Sequence, residues 1–192
     1  MNKNIKKITV IAMLSAIAFI LMFFELSLQI VPSFLKFDIS DLPELIATFI
    51  FGPVSGVIVC FIKNLLHLTV THTGGVGELS NFLLGAVLCI VSGLIYRSKK
   101  TKKTAIVAML VGSLAMGALS FVTNLWIVYP FYYNIMAKET ILGMYQAILP
   151  QIKSIEMSLL VFNLPFTAVK GIVCSIITFF VYKRLKNILR IE

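Results

Sequence analysis

The chain has 192 residues, of which 59% are hydrophobic and 13% charged, and it carries a formal net charge of +9. A soluble domain carries about 25% charged residues, so the composition excludes a water-soluble globule and leaves room for several bilayer-spanning helices of about 20 residues each. In so apolar a chain a positive excess reports membrane orientation before it reports nucleic acid, and no nucleic-acid partner is expected.

Met1 to Lys7 is basic and leads into an apolar run from Ile8 to Ile30. That run is too long for a signal peptide and lacks a small-residue cleavage site, so it is read as a retained first helix. Leu42 to Phe51 gives a short second helix. Phe51-Gly52-Pro53 breaks it from a third at Val54 to Val70, because proline lacks an amide hydrogen and restricts the residue before it. Leu79 to Tyr96, Ala105 to Tyr133 and Pro165 to Tyr182 complete six candidate transmembrane helices. In the long connection from Asn134 to Leu164, the residues Ile148, Ile152, Ile155, Leu159 and Phe162 recur at the spacing of a helix lying at the interface. The expected architecture is one all-α membrane domain over residues 1–192, with almost no mass outside the bilayer.

Most of the 17 Lys and Arg residues fall into clusters: Lys3, Lys6 and Lys7; Arg97, Lys99, Lys100, Lys102 and Lys103; and Lys183, Arg184, Lys186 and Arg190. With six spans these clusters share one side, which the positive-inside rule makes the cytoplasm, and both termini lie there. The opposite loops carry Lys36, Asp38, Asp41, Lys138, Glu139, Lys153 and Glu156, which nearly cancel. Cys60, Cys89 and Cys174 stand singly in apolar runs without disulfide or metal-ligand spacing, so they read as small buried residues and no metal is expected. The chain has no P-loop, dinucleotide fingerprint, HExxH or nucleophile and base pair. It is therefore not expected to be an enzyme or to hydrolyse ATP by itself.

Polar side chains inside a span are costly and mark candidate sites. Given a cytoplasmic N-terminus, Glu25, Lys63, Asn64, His67, Glu78, Asn81, Asn124, Asn163, Thr167 and Lys170 all fall toward the outer ends of their helices. A channel needs polar groups through the full thickness, whereas a one-sided set describes a cup open to the outside. Several have simpler roles available. Lys63 can snorkel, Glu78 can cap helix 4, and Asn81 and Asn124 can join helices. Lys170 is deeper and needs either a carboxylate such as Glu25 or an acceptor on a ligand. Phe23, Phe24, Phe34, Phe37, Trp126, Tyr129, Phe131, Tyr132 and Tyr133 crowd the same side, as an interfacial belt or as walls for a flat ligand. Ala12 and Ala16 form a flat face on helix 1, suited to internal packing or to docking of a separate membrane subunit. Ala105, Ala108, Gly112 and Ala115 form another on helix 5, while Ser113, Gly117, Ser120 and Asn124 step toward the proposed cup.

Several stretches, in order along the whole chain, resemble the substrate-binding S components of energy-coupling factor (ECF) vitamin transporters, the riboflavin-specific branch in particular. They are Lys36-Phe-Asp-Ile-Ser-Asp-Leu-Pro43, Phe51-Gly-Pro-Val-Ser-Gly56, Lys63-Asn-Leu-Leu66, Gly74-Gly-Val-Gly-Glu-Leu-Ser-Asn-Phe-Leu-Leu-Gly85, Thr123-Asn124 with Pro130-Phe-Tyr132, and Pro165-Phe-Thr-Ala-Val-Lys-Gly171. The resemblance implies a six-helix fold that binds riboflavin near the outer face, beneath the loop between helices 1 and 2. It also implies assembly with a transmembrane T subunit, through a helix 1 face matching Ala12 and Ala16, and with two cytoplasmic ATP-binding subunits that drive uptake. Riboflavin is then the transported ligand rather than a cofactor. The site residues it implies here, with those the residues themselves single out, are Asp38, Glu78, Asn81, Asn124, Trp126, Asn163, Thr167 and Lys170. The family pattern before the last lysine is PFNxxKG, and this chain has Thr167 where the Asn would stand. A shorter hydroxyl replaces a carboxamide there, so a flavin hydrogen bond is lost, taken by Asn163 or remade through water. An S component for folate, thiamine or a flavin phosphate, and a non-transport membrane structural protein, remain the alternatives.

Overall fold

The computed structural model describes residues 3–71 and 73–188. Arg190 and the side chains of Lys3, Lys183 and Lys186, all counted in the basic clusters, lie outside the described residues. Helix α1 covers Lys3–Met22. Its 20 residues already span about 30 Å, the thickness of the hydrocarbon core, so the chain leaves the helix there rather than at Ile30. The apolar residues that follow enter a small hairpin instead, β1 (Leu26–Ser27) pairing antiparallel with β2 (Lys36–Phe37).

Helix α2 (Asp41–Phe51) has 11 residues, half a span, and is buried on nearly every side. Gly52 at φ 101° turns the chain, and Pro53 opens α3 (Pro53–His67), where its missing N–H costs nothing. A short 3-10 turn, Leu68–Val70, extends α3. Then follow α4 (Val76–Ser98) and α5 (Lys102–Thr123), the latter started by Thr101, whose hydroxyl accepts from the Thr104 amide. A π-helical turn at Asn124–Val128 carries α5 into α6 (Tyr129–Tyr132). Helix α7 (Lys138–Gln146) lies across the connection. The last membrane run begins with α8 (Ile155–Ser158), passes a second π turn at Leu159–Asn163 and continues as α9 (Leu164–Ile188).

Among the described residues five helical runs are long and apolar enough to cross a membrane: Asn4–Met22, Pro53–Val70, Val76–Ser98, Lys102–Tyr132 and Ile155–Tyr182. The all-α class stands, with α2 as a half-length sixth member at the centre. The single interfacial helix expected in the connection is not formed. Ile141, Tyr145, Ile152, Ile155 and Leu159 instead make a buried cluster with Val128 and Tyr129, so α7 caps the end of the bundle. The last span accordingly starts ten residues earlier than Pro165, because Ser154 caps it by accepting from the Met157 amide.

Close backbone approach is what lets the helices surround α2. A Cβ on Gly56 would stand 2.7 Å from the Glu44 carbonyl oxygen, and one on Gly117 2.8 Å from the Ala168 Cβ. Gly112 packs on Ser92 and Leu88 of α4, beside Ala105 and Ala108, which are fully buried. Ser113 and Gly117 face α9 and Ser120 faces the π turn before it, and within that series only Asn124 lines the cup. Ala12 and Ala16 are exposed on α1. The three cysteines are buried and free.

The two ends of the bundle differ. At one, Phe49 stacks on Tyr96 and Tyr182, with ring centroids 4.7 and 5.4 Å away, and the Lys7 ammonium lies 6.0 Å from the Phe51 ring. These contacts place the start of α1, the α2–α3 junction, the end of α4 and the lower part of α9 at one level. The described members of the basic clusters therefore gather at this end. The hairpin, the start of α4 and the α7 cap occupy the other.

Candidate functional site

At the end opposite the basic clusters lies a cavity of about 510 Å³, within the range of small-molecule sites. Its walls come from the loop after β1, the start of α4, the π turn after α5, α6 and α9. Phe34, Phe166, Tyr129 and Tyr132 supply aromatic surface, and Leu84, Met116 and Val128 supply aliphatic surface. The π turns matter here. Each inserts an extra residue into its helix, which re-aims side chains, and each carries an asparagine of the cavity, Asn124 and Asn163.

The structure brings Asp38, Glu78, Asn81, Asn124, Asn163, Thr167 and Lys170 together around this cavity. Trp126, expected beside them, is 74% exposed on the outside of the bundle, because its place in the π turn points it away from the Asn124 face. The polar groups are not equally available. Both Glu78 oxygens are occupied, one 2.8 Å from His67 Nδ1 and the other accepting from Thr73 at 2.9 Å, so Glu78 ties the end of α3 to the start of α4. Asn124 donates to the Ser120 carbonyl at 2.7 Å, which leaves its amide oxygen and second N–H. Among the described residues the Asn81 amide and the Thr167 hydroxyl have no protein partner.

Asn163 is engaged on both sides. Its oxygen accepts from the Tyr145 hydroxyl at 2.6 Å and its amide donates to Tyr129 at 3.4 Å, while the two tyrosine hydroxyls also meet. It is thus held as an anchor for the α7 cap while still lining the cavity. Burial pushes the Tyr145 hydroxyl well above the usual tyrosine range, so it stays a donor.

Beneath the cavity runs a buried chain of ion pairs that the sequence reading missed. Lys170 lies 2.8 Å from Asp38 and 3.3 Å from Asp41; Lys63 lies 2.7 Å from Asp41 and 3.1 Å from Glu44. Lys63 is 0% exposed and donates to Ser40 at 2.9 Å, so it does not snorkel. Nor is Glu25 the partner of Lys170: it is exposed in the loop after α1, and the carboxylates come from Asp38 and Asp41 at the start of α2. Burial disfavours the Asp38 carboxylate, but the ammonium groups of Lys170 and Lys63 outweigh it and hold its pKa at about 2. Asp38 therefore contributes stability above its ordinary value near 3.8, and loses it only as pH falls toward about 2. Lys170 has three donors, of which one goes to Asp38; its ammonium also pairs with Asp41 at 3.3 Å, and the side chain lines the cavity. The missed residues, Asp41 and Glu44, had a signal: two carboxylates one turn apart in an apolar segment are costly without cations.

This arrangement can bind a flat, neutral, hydrogen-bonding molecule. Among the described residues no cluster of His, Cys, Asp and Glu is fit to hold a metal. Residues 6–182 match the family described as ECF transporter, substrate-specific component. The chain belongs to this family. As an S component it is 34% identical over 190 residues to the riboflavin transporter RibU of Staphylococcus aureus, covering 99% of this chain and 95% of that one. It is 29% identical over 186 residues to the riboflavin transporter FmnP of Bacillus subtilis, covering 95% and 93%. A solved S component of a bacterial ECF transporter superposes with a TM-score of 0.77 at 35% identity, over 97% of this chain and 99% of that one. The S component is accordingly a multi-pass membrane protein, in keeping with its five apolar spans.

Proposed function

We propose that this S component binds riboflavin in the cavity between the hairpin loop, α4, α6 and α9 and passes it into the cell with an ATP-driven partner assembly. The supporting observation is a single cavity that offers aromatic and aliphatic walls beside free amide, hydroxyl and ammonium groups. Riboflavin presents matching chemistry: a large flat ring, a uracil-like edge with donors and acceptors, and a chain of hydroxyls. Asn124 pairs with the uracil-like edge, Lys170 donates to a ring or ribityl oxygen, and Asn81 and Thr167 serve the remaining hydroxyls. Asp38, Glu78 and Asn163 position these groups rather than the ligand.

The protein is not an enzyme on this reading. The cavity faces outside, and the basic end and both termini face the cytoplasm, as the positive-inside rule requires. A T subunit docks on the exposed Ala12 and Ala16 face of α1, and two ATP-binding subunits supply the energy. Purified protein should quench riboflavin fluorescence at micromolar or lower ligand concentration. Absence of quenching, with stabilisation by a different vitamin in a thermal-shift panel, would reassign the substrate.

A further inference from the structure

A second concavity of about 330 Å³ runs along the outer surface between α5 and α9, lined by Ile106, Leu110, Ile172, Ile176, Phe179 and Phe180. It is wholly separate from the vitamin cavity. Ile106, Leu110, Ile176 and Phe180 are exposed, so in a bilayer this trough opens to lipid. From Ile172 to Phe180 is eight residues, about 12 Å along the helix, close to the hydrocarbon depth of one leaflet, about 15 Å.

Its mouth is basic. Lys102 and Lys103 stand one turn before Ile106, and Arg184 stands one turn beyond Phe180, so the two antiparallel helices deliver their cations to the same end of the same groove. All of these side chains are exposed, and among the described residues none has a carboxylate within ion-pair distance. Among the described residues Asp and Glu are gathered elsewhere, at Glu25, Asp38, Asp41, Glu44, Glu78, Glu139 and Glu156; Glu192 lies outside the described residues. Among the described residues these cations thus form a site without a paired carboxylate, at headgroup level over an apolar slot.

We propose that the α5–α9 groove binds one anionic phospholipid of the inner leaflet, an acyl chain lying in the slot and the phosphate held by Lys102, Lys103 and Arg184. Charge complementarity selects the occupant: a zwitterionic lipid offers the same chain but brings its own cation to the site. The inference stands apart from the identity of the vitamin.

Delipidated protein titrated with dioleoylphosphatidylglycerol or dioleoylphosphatidylcholine, and read by native mass spectrometry, tests it. The expected result is one retained phosphatidylglycerol adduct, favoured about tenfold over phosphatidylcholine. Lys102→Gln with Lys103→Gln and Arg184→Gln should abolish that preference while riboflavin quenching stays unchanged. Filling the slot with Ile176→Trp should remove the adduct with the mouth intact. Equal binding of the two lipids by the unaltered protein overturns the proposal, and that arm needs no variant to fold. A preference that survives the triple change overturns it, as does an adduct untouched by Ile176→Trp. Loss of a co-purifying membrane protein in Ile176→Trp, with lipid preference unchanged, would make the groove a protein interface and also overturn it.

Discussion

The cavity end and the basic end of this bundle are built from the same helices by opposite means. At the basic end the helices close on one another through small residues and stacked rings: Gly93 against Pro53, Ala105 and Ala108 in the core, and Phe49 between Tyr96 and Tyr182. At the cavity end two long spans are interrupted by π turns, α2 starts late, and lysines and carboxylates replace apolar contacts. The difference teaches where stability and binding reside. Close packing tolerates little change in volume, whereas the polar end tolerates little change in charge.

The sharpest way to break the comparison is to remove the central cation. Lys63→Met strands Glu44 in the core and leaves Asp41 with Lys170 alone, and should cost about 3–5 kcal/mol, seen as a large fall in thermal stability of the purified protein. An unchanged melting temperature would mean the pairs carry no weight. Lys170→Ala removes a donor to the ligand together with the partner of Asp38, and should weaken riboflavin by about 1.5–3 kcal/mol, more than tenfold in affinity by titration. At the other end, Gly93→Ala pushes a methyl to 2.7 Å from the Pro53 Cβ and should cost about 1–3 kcal/mol of stability with affinity unaltered. Altered affinity there would show that the two ends are not independent. Tyr145→Phe deletes the hydroxyl that holds Asn163 and should cost about 1 kcal/mol, with faster ligand release in stopped-flow quenching. The smallest effect belongs to Trp126→Ala, which should leave riboflavin affinity within about 0.5 kcal/mol, since the ring lies outside the cavity.

Much of this was legible in the residues because a bilayer imposes simple rules. The apolar runs predicted the spans, and Gly52-Pro53 predicted the break between α2 and α3, since each depends on local composition. Where an apolar run exceeded one bilayer thickness, as from Phe23 to Ile30, hydropathy could not tell helix from loop. Six of the seven polar residues now seen around the cavity were singled out by depth along their helices, whereas Asp38 was read as a loop charge and entered the site with the family resemblance. Trp126 was not separable from them, because depth says nothing about which way a ring points, and a π turn shifts the helical phase by one residue.

The sequence by itself determined the membrane class, the segment order, the grouping of positive charge and the polar band that marks one end. These follow from the cost of placing charge and unpaired backbone groups in hydrocarbon, which acts on every residue wherever its neighbours are. Only the tertiary structure decided which charges neutralise one another. Asp38 and Lys170 are 132 residues apart and Lys63 and Asp41 are 22 apart, and no local rule pairs them. Their pairing depends on α2 lying at the centre of the bundle, where the glycine faces of its neighbours allow it to fit. Likewise only the packing of α6 and α7 decided that Asn163 is held by Tyr129 and Tyr145, 34 and 18 residues away.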